Sequence, residues 1–303
     1  MSVSGPPRGE YGSLPEGRHA VLEGAPMSGA TRVERYSGAA ASVRRVRALL
    51  LRHAYLVFRS WTRIVSMMYY PTVTMVVWAF LTLYLAPTNN FLRDAPGFFI
   101  GAVLLWDVLF RGQLGVSLTL IEELYARNLG NLFVAPLTVP EFIAGQLAMS
   151  ILRALIGVGG ACGFAYVLFH YSIFSLGFPL LAFFANLLVF GWAIGLAMSG
   201  MILRLGLGAE ELAWASIFIV APVSGVYYPI AVLPGWLQAL AWSLPSAHVF
   251  EGMRAVLLEQ VFRWDHFWIA VGLNLTYLAL GAALFGWSVR HARNQGTLLQ
   301  MGE

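Results

Sequence analysis

The sequence predicts an all-α membrane protein with six transmembrane helices, and three observations lead to that fold class. Hydrophobic residues make up 58% of the 303 residues and charged residues only 11%, whereas roughly a quarter of an ordinary soluble domain is charged. The apolar residues gather in segments long enough to cross about 30 Å of hydrocarbon. Arginines, which favour cytoplasmic loops, are concentrated before the first of these segments.

The N-terminal region divides into a tail and an amphipathic helix. Residues 1–41 are rich in Gly, Pro and Ser and contain no continuous apolar core, which predicts a disordered cytosolic tail. In residues 42–63 the apolar side chains share one side of a helical wheel, and the other side carries Arg45, Arg52, Arg59 and Arg63. This pattern predicts an interfacial helix lying on membrane lipids. Either a collar helix that also touches a partner or a plain positive-inside anchor explains it.

The first two predicted spans cover residues 64–86 and 97–118, joined by a short polar turn. The second span carries Asp107 and Arg111, one helical turn apart. Charged residues at this depth face protein or water, and an i, i+4 Asp to Arg pair can neutralise itself. An intramembrane ion pair is therefore predicted. A packing role is favoured over a role in a substrate path, and both stay open.

The most polar internal stretch is 119–141, between the second and third spans. Prolines at 136 and 140 end it, and its pattern predicts a short amphipathic helix on the cytosolic side. The residues proposed to define that helix are Glu122, Glu123, Arg127, Asn128, Leu129 and Leu132. A rigid helix with charged edges can transmit movement into the bundle, but a plain connector would show the same pattern.

The third and fourth predicted spans, 142–169 and 176–203, contain small residues at helical spacing. Small residues let helices approach closely. The third span contains Gly157, Gly159, Gly160 and Gly163, of which Gly159 and Gly163 have the small-xxx-small spacing, and the fourth contains Gly191, Gly195 and Ser199 at the same spacing. Arg153 is expected to snorkel or to pair with Glu141.

The stretch from 213 to 258 begins as a fifth span, to about Tyr228, and then stays apolar although three prolines forbid one continuous helix. Broken apolar backbone at membrane depth persists only where protein buries it or water hydrates it. We therefore predict short re-entrant helices over 229–258. The proposed gate residues are Pro229, Pro234, Trp236, Pro245, His248, Glu251 and Arg254. A sixth span (262–289) and a cytosolic tail (290–303) complete the six-span domain, 64–289.

Composition excludes several kinds of chemistry. All nineteen basic residues other than histidine are arginines, so the chain has no P-loop lysine and no Schiff-base lysine. A single cysteine, Cys162, can form neither an internal disulfide nor a cysteine metal cluster, and the six histidines lack paired ligand spacing. We predict no catalytic, cofactor-binding or metal site, and no nucleic-acid surface.

Two stretches resemble the ABC-2 class of ABC exporter permeases, over about residues 49–290. The first follows the fifth span and consists of Leu233, Pro234, Trp236, Leu237, Gln238, Leu244, Pro245, His248, Glu251, Gly252 and Arg254. The second matches the family's coupling helix and consists of Glu122, Glu123, Arg127, Asn128, Leu129, Leu132, Pro136, Leu137 and Thr138.

The resemblance implies a permease subunit that exports an amphipathic or glycan-containing substrate, such as a lipid-linked saccharide, a lipo-oligosaccharide or a hydrophobic drug. It implies a separate ABC ATP-binding subunit, which binds ATP and magnesium and receives the coupling helix. It also implies a second copy of the chain, in a 2+2 complex in the bacterial inner membrane with both termini in the cytoplasm.

Two other functions compete with the exporter. An ion-coupled secondary transporter or channel predicts several ionisable residues at midplane, and only Asp107 and Arg111 fit. A membrane enzyme acting on lipids predicts polar clusters at one membrane face, and none is visible in the sequence. Dependence of transport on ATP, rather than on an ion gradient, separates the exporter from the carrier.

Overall fold

The computed structural model describes residues 38–85, 87, 97–129 and 135–295, and over these residues the protein consists of helices without any strand. The long helices are α1 (Ala39–Phe58), α2 (Trp61–Leu85), α3 (Phe98–Tyr125), α4 (Val139–Phe169), α5 (Phe178–Leu205) and, last in the chain, α9 (Trp264–Gln295). Between α5 and α9 lie the shorter helices α6 (Glu210–Val220), α7 (Gly235–Trp242) and α8 (Pro245–Glu259). Residues 1–37 of the predicted tail, most of the first polar turn, and 296–303 lie outside the described residues.

Five helices, α2 to α5 and α9, are long and apolar enough to cross a membrane. The prediction of an all-α membrane protein is confirmed, whereas the predicted count of six spans is not. The expected fifth span contains α6, whose eleven residues rise about 17 Å, short of about 30 Å of hydrocarbon. A 3-10 turn, Ala221–Val223, continues it, and Pro222 within that turn cannot donate an α-helical hydrogen bond.

Several helix boundaries differ from the predicted ones: α1 begins at Ala39, inside the predicted tail, and α9 continues to Gln295, six residues into the predicted cytosolic tail. Two further differences bear on the site. The break between α1 and α2 falls at Arg59 and Ser60, so Arg63 belongs to the first spanning helix rather than to the interfacial helix. Helix α3 runs to Tyr125, seven residues past the predicted end, because its buried apolar face continues through Leu120 and Leu124.

Helix α3 is the central helix of the bundle. In its most apolar window 78% of the residues are buried, against 56% for α5 and 17% for α2. It packs against α2, α4 and α5, and α5 in turn packs against α9. The outward faces of the flanking helices carry large exposed apolar side chains, such as Phe80, Tyr166 and Leu280, as expected for contact with lipid.

Glycines bring α5 against α3 at backbone distance. A Cβ added at Gly191 would lie 2.6 Å from the carbonyl oxygen of Leu109, and one at Gly195 would lie 2.7 Å from that of Gln113. The predicted close packing of the fourth span is therefore confirmed.

The matching prediction for Gly159 and Gly163 is wrong, because nothing in the described chain lies within 4 Å of a Cβ at either position. The inward face of α4 instead carries Gly157 and Gly160. A Cβ at Gly157 would meet the guanidinium of Arg111. Gly159 and Gly163 do lie on one face of α4, as their i, i+4 spacing requires, but that face points away from the rest of the described chain.

Candidate functional site

The chain after α3 turns through an uncommon backbone conformation. Arg127 has φ 51°, in the left-handed region that favours glycine. Its N–H bonds the carbonyl of Leu124 at 2.9 Å, and that of Asn128 bonds the carbonyl of Glu123 at 3.0 Å. This pair of bonds is a Schellman motif, which usually has glycine where Arg127 stands. A bulky residue in such a conformation costs about 1 kcal/mol or more relative to glycine, and the same conformation ends α4 at His170 and α8 at Gln260.

Glu123, in the last turn of α3, is buried and fastens α1 to the bundle. Its carboxylate is 2.7 Å from Nη1 of Arg52 and 3.0 Å from Nε2 of His53, both on α1. It also accepts a hydrogen bond of 2.7 Å from the side-chain amide of Asn128. Hydrogen bonds to charged groups are among the stronger ones in proteins, so Glu123 holds α1 and the turn after α3 together.

Glu122 joins α3 to the two neighbouring spanning helices. Its carboxylate oxygens lie 3.1 Å from Arg63 on α2 and 2.9 Å from Arg153 on α4. The predicted pairing of Arg153 with Glu141 is wrong, since the two residues stand twelve positions apart, about 18 Å along one helix. Arg153 is buried whereas the Glu122 side chain is 27% exposed, so their ion pair is partly shielded from water.

Glu141 begins α4 and forms the third attachment of α1. Its carboxylate accepts the backbone N–H of Thr138 at 2.9 Å, which caps the helix. The same carboxylate also accepts two hydrogen bonds from Arg45, one from Nε at 3.0 Å and one from Nη2 at 2.5 Å, so the ion pair is bidentate. Arg45, Arg52 and His53 together hold α1, hereafter the collar, on the acidic ends of α3 and α4.

The collar end thus contains most of the predicted coupling residues. Glu122 and Glu123 lie in α3 rather than in a separate helix, Asn128 contacts Glu123, and Leu129 is buried in the apolar cluster of that end. Arg127 is exposed. Leu132 lies outside the described residues. The sequence contained a signal that was missed: the arginines of 45–63 complement the acidic residues of 122–141.

The predicted gate residues lie in the connection from α6 to α9. Each of its three prolines stands where a helix begins: Pro229 before the 3-10 helix Ile230–Val232, Pro234 before α7, and Pro245 as the first residue of α8. A residue without an N–H is tolerated there because no intrahelical bond is lost. Trp236, on α7, is 74% exposed.

Glu251 and Arg254 tie α8 to the chain that follows α6. Glu251 accepts the backbone N–H of Ile230 at 2.8 Å, and its other oxygen is 2.6 Å from Nη1 of Arg254. Arg254 donates to the carbonyl of Gly225 at 3.0 Å. His248 contacts the carbonyl of Trp242 on the preceding helix. The side chains of Glu251, Arg254 and His248 therefore organise this connection, hereafter the gate segment, residues 229–258.

Asp107 and Arg111 form an ion pair within α3, and Arg111 also donates to the carbonyl of Met67 on α2. Its guanidinium occupies the space that Gly157 leaves on α4. The pair therefore links three helices. Because the two charges neutralise each other and Arg111 also binds a backbone carbonyl of α2, this geometry favours a packing role for the pair.

The described residues hold no group of three or more His, Cys, Asp and Glu arranged to bind a metal ion. Polar side chains gather instead at the two ends of α3. The Arg254 guanidinium lies 5.3 Å from the ring centre of Phe98 at the start of α3, and Glu122 and Glu123 stand near its end. The 28 residues between these ends span about 42 Å.

These features define a multi-pass helical membrane protein in which one buried helix connects a collar to a gate segment. A sequence profile described as ABC-2 type transporter matches residues 44–258, so the chain belongs to the ABC-2 type transporter family. It is the membrane subunit of an ABC transporter, a family in which ATPase activity lies in a separate subunit. Comparison with curated proteins found no match.

Proposed function

We propose that the chain is the permease subunit of an ATP-driven exporter in the bacterial inner membrane, with both termini in the cytoplasm. Two copies would combine with two ABC ATP-binding subunits, which bind the ATP and magnesium. The substrate is amphipathic or contains a glycan, in the class of lipid-linked saccharides, lipo-oligosaccharides and hydrophobic drugs. The observation that carries the proposal is the strained, exposed turn at Arg127, set on a platform of three ion-paired carboxylates.

The platform suits a docking site for a moving partner. Glu122, Glu123 and Glu141 connect the collar, α2, α3 and α4 through ion pairs in which Glu123, Glu141 and Arg153 are buried. A force applied at the turn after α3 is then shared by four helices. Packed interiors have low compressibility, so displacement at this end shifts α3 as a body and reaches the gate segment at its far end.

Orientation rests on the arginine distribution. With the collar inside, fourteen of the nineteen arginines lie in cytosolic segments and three in outer ones. In this arrangement the segment from α6 to about Tyr228 enters the membrane from the cytosolic side, where Glu210 accepts a hydrogen bond from Tyr125 at the end of α3, and forms a broken fifth span. The gate segment then dips back into the outer leaflet, where Ile230 is buried and donates its backbone N–H to Glu251 of α8.

The substrate class is supported by aromatic side chains near the spans. Trp78 stacks on Phe99 with ring centres 5.0 Å apart and on Tyr227 at 4.3 Å, which joins α2 and α3 to the chain just before the gate segment. Tyr69 and Tyr70 are exposed on α2. Aromatic faces stack on sugar rings and pack against apolar tails, although exposed aromatics also suit the membrane interface.

An ion-coupled carrier or channel is the alternative function, and a lipid-acting enzyme is a weaker one. The buried ionisable residues Asp107, Arg111 and Arg153 argue against a carrier, because each is in an ion pair that links helices. A carrier needs such groups free to bind and release its ion. Transport driven by an ion gradient in the absence of ATP would favour the carrier.

Arg127→Gly tests the proposal in the protein purified from its own membranes in mild detergent. We expect a Walker-motif ATPase to accompany the wild-type chain in equal amounts. The variant should gain about 1 kcal/mol in unfolding free energy, because glycine relieves the left-handed strain, and should retain less of the ATPase. Quantitative mass analysis and ATPase activity of the eluate measure the association.

Gln260→Gly is the matched control. Gln260 ends α8 with φ 56°, the same conformation at the other end of the molecule. Its replacement should raise stability similarly and leave the co-purified ATPase unchanged. A wild-type chain that purifies without any ATPase, or an Arg127→Gly variant that retains all of it, contradicts a coupling role for this turn.

A further inference from the structure

The outward face of α9 changes from apolar to charged at Trp287. Leu280 is 62% exposed, and Ala283, one turn further along, is also exposed. Trp287 follows on the same face at 45% exposure, and Arg290 is the next exposed residue after it. A tryptophan where an apolar helix face meets an arginine is typical of the boundary between hydrocarbon and lipid headgroups. Trp287 therefore marks the depth of the headgroup layer on α9.

An arginine from α5 covers this tryptophan. The guanidinium carbon of Arg204, in the last turn of α5, lies 4.4 Å from the centre of the Trp287 ring. Arg290 stands three positions after Trp287, and residues at this spacing are neighbours on the surface of a helix. Two exposed arginines from different helices therefore lie beside one indole ring. We call Arg204, Trp287 and Arg290 the basic patch.

The basic patch lies at the collar end of the bundle. Leu203, next to Arg204 in the sequence, and Val289, next to Arg290, are buried in one apolar cluster with Leu49 of the collar. Both α5 and α9 are long and apolar enough to cross a membrane. Their last turns therefore bring the basic patch to the membrane surface at the collar end, beside the headgroups of that leaflet.

No carboxylate of the described residues neutralises the basic patch. Neither Arg204 nor Arg290 is in any ion pair within the described chain. The first acidic residues after α5, Glu210 and Glu211, act instead on Tyr125 of α3, whose hydroxyl donates to Glu210 at 2.7 Å. A helix dipole stabilises an arginine near the C-terminus of its helix, which explains each arginine by itself. It does not offset the repulsion between two arginines beside the same ring, whereas an anion does.

We propose that the basic patch binds the phosphate of an anionic phospholipid in the leaflet at the collar end. Basic side chains clustered where spanning helices end are typical binding sites for acidic lipid headgroups. The phosphate accepts charge-assisted hydrogen bonds from the two guanidinium groups, and the acyl chains lie along the apolar face of α9 at Leu280 and Ala283. Such binding needs only a membrane that contains acidic lipids, so it holds whether or not the protein is an exporter.

Native mass spectrometry of the full-length chain, purified in mild detergent and stripped of lipid, tests the site by titration. Phosphatidylglycerol is the anionic probe, and phosphatidylcholine carries the same phosphate without net charge. We expect phosphatidylglycerol to bind more tightly. Arg204→Gln and Arg290→Gln should each weaken its tightest binding about fivefold, and together about twenty-fivefold, with phosphatidylcholine unchanged. Both arginines are exposed, so these variants keep the wild-type fold.

Arg59→Gln is the matched control, because Arg59 is an exposed arginine between α1 and α2 at the same end of the bundle. It removes the same charge and should leave phosphatidylglycerol binding unchanged. Equal weakening by Arg59→Gln and Arg204→Gln would reveal diffuse attraction to a basic surface and overturn the proposal. Undiminished binding in the double variant overturns it as well. Displacement of the lipid by soluble glycerol phosphate would make the patch a site for free anions and contradict a lipid site.

Discussion

Gly191→Ala will lower the free energy of unfolding by about 3 kcal/mol, in the upper range for overpacking a closely packed site. The added methyl group would meet the carbonyl oxygen of Leu109 at 2.6 Å and the amide nitrogen of Gln113 at 2.8 Å. Both are backbone atoms of the central helix, so no side-chain rotation can make room. Helix α5 must move away from α3, and that separation loses packing along their whole contact. Equilibrium unfolding in mixed detergent micelles measures the change.

Gly163→Ala is the control within the same bundle. Nothing in the described chain lies within 4 Å of its added Cβ, and alanine is the better helix former. We expect stability to stay the same or to rise by up to about 1 kcal/mol. If Gly163→Ala were as harmful as Gly191→Ala, contacts outside the single chain would decide the packing of α4, and the assignment of its outward face would be wrong.

Glu123→Ala has the second large effect, about 3 kcal/mol, at the lower end of the range for breaking a buried ion pair. The lower end applies because Arg52, whose side chain is 42% exposed, can turn to water. His53 cannot do so, since its side chain is only 1% exposed. The collar should loosen, so hydrogen exchange of residues 45–58 should speed up far more than that of α3.

Glu259→Ala removes a carboxylate that is exposed, whereas the carboxylate of Glu123 is buried. Its pair with Arg263 has side chains 54% and 47% exposed, so the change should cost about 0.5 kcal/mol or less. The two variants together separate a buried attachment from a surface ion pair. Collar exchange that stays slow in Glu123→Ala would mean that Arg45 and the apolar face of α1 hold the collar by themselves.

Local patterns predicted the helices well because they depend on neighbours in the sequence. Apolar runs placed the spans, three prolines marked the starts of the gate helices, and the i, i+4 spacing put Asp107 beside Arg111. Nevertheless, α3 extends seven residues beyond its predicted end. Its polarity assigns Glu123 to a separate cytosolic helix, and only its partners on α1 show why α3 continues through it as a buried residue.

Contacts between distant parts of the chain could not be predicted in the same way. Arg153 pairs with Glu122 across 31 positions, and His248 meets His266 across a connection that no periodicity relates. Choosing between the two glycine faces of α4 required the position of Arg111 on a neighbouring helix. The α6 region reads as a span by composition, and only the 3-10 turn at Pro222 shows where its helix stops.

The most direct test of the central claim asks which end of the molecule the ATPase touches. A photo-reactive amino acid is placed at position 127, beside the collar, or at position 236, on the exposed face of the gate segment, in cells that make the full-length chain. We expect a crosslink to a Walker-motif protein from position 127 and none from position 236. A crosslink to that protein from position 236, or its absence from both positions, would contradict coupling through the turn after α3.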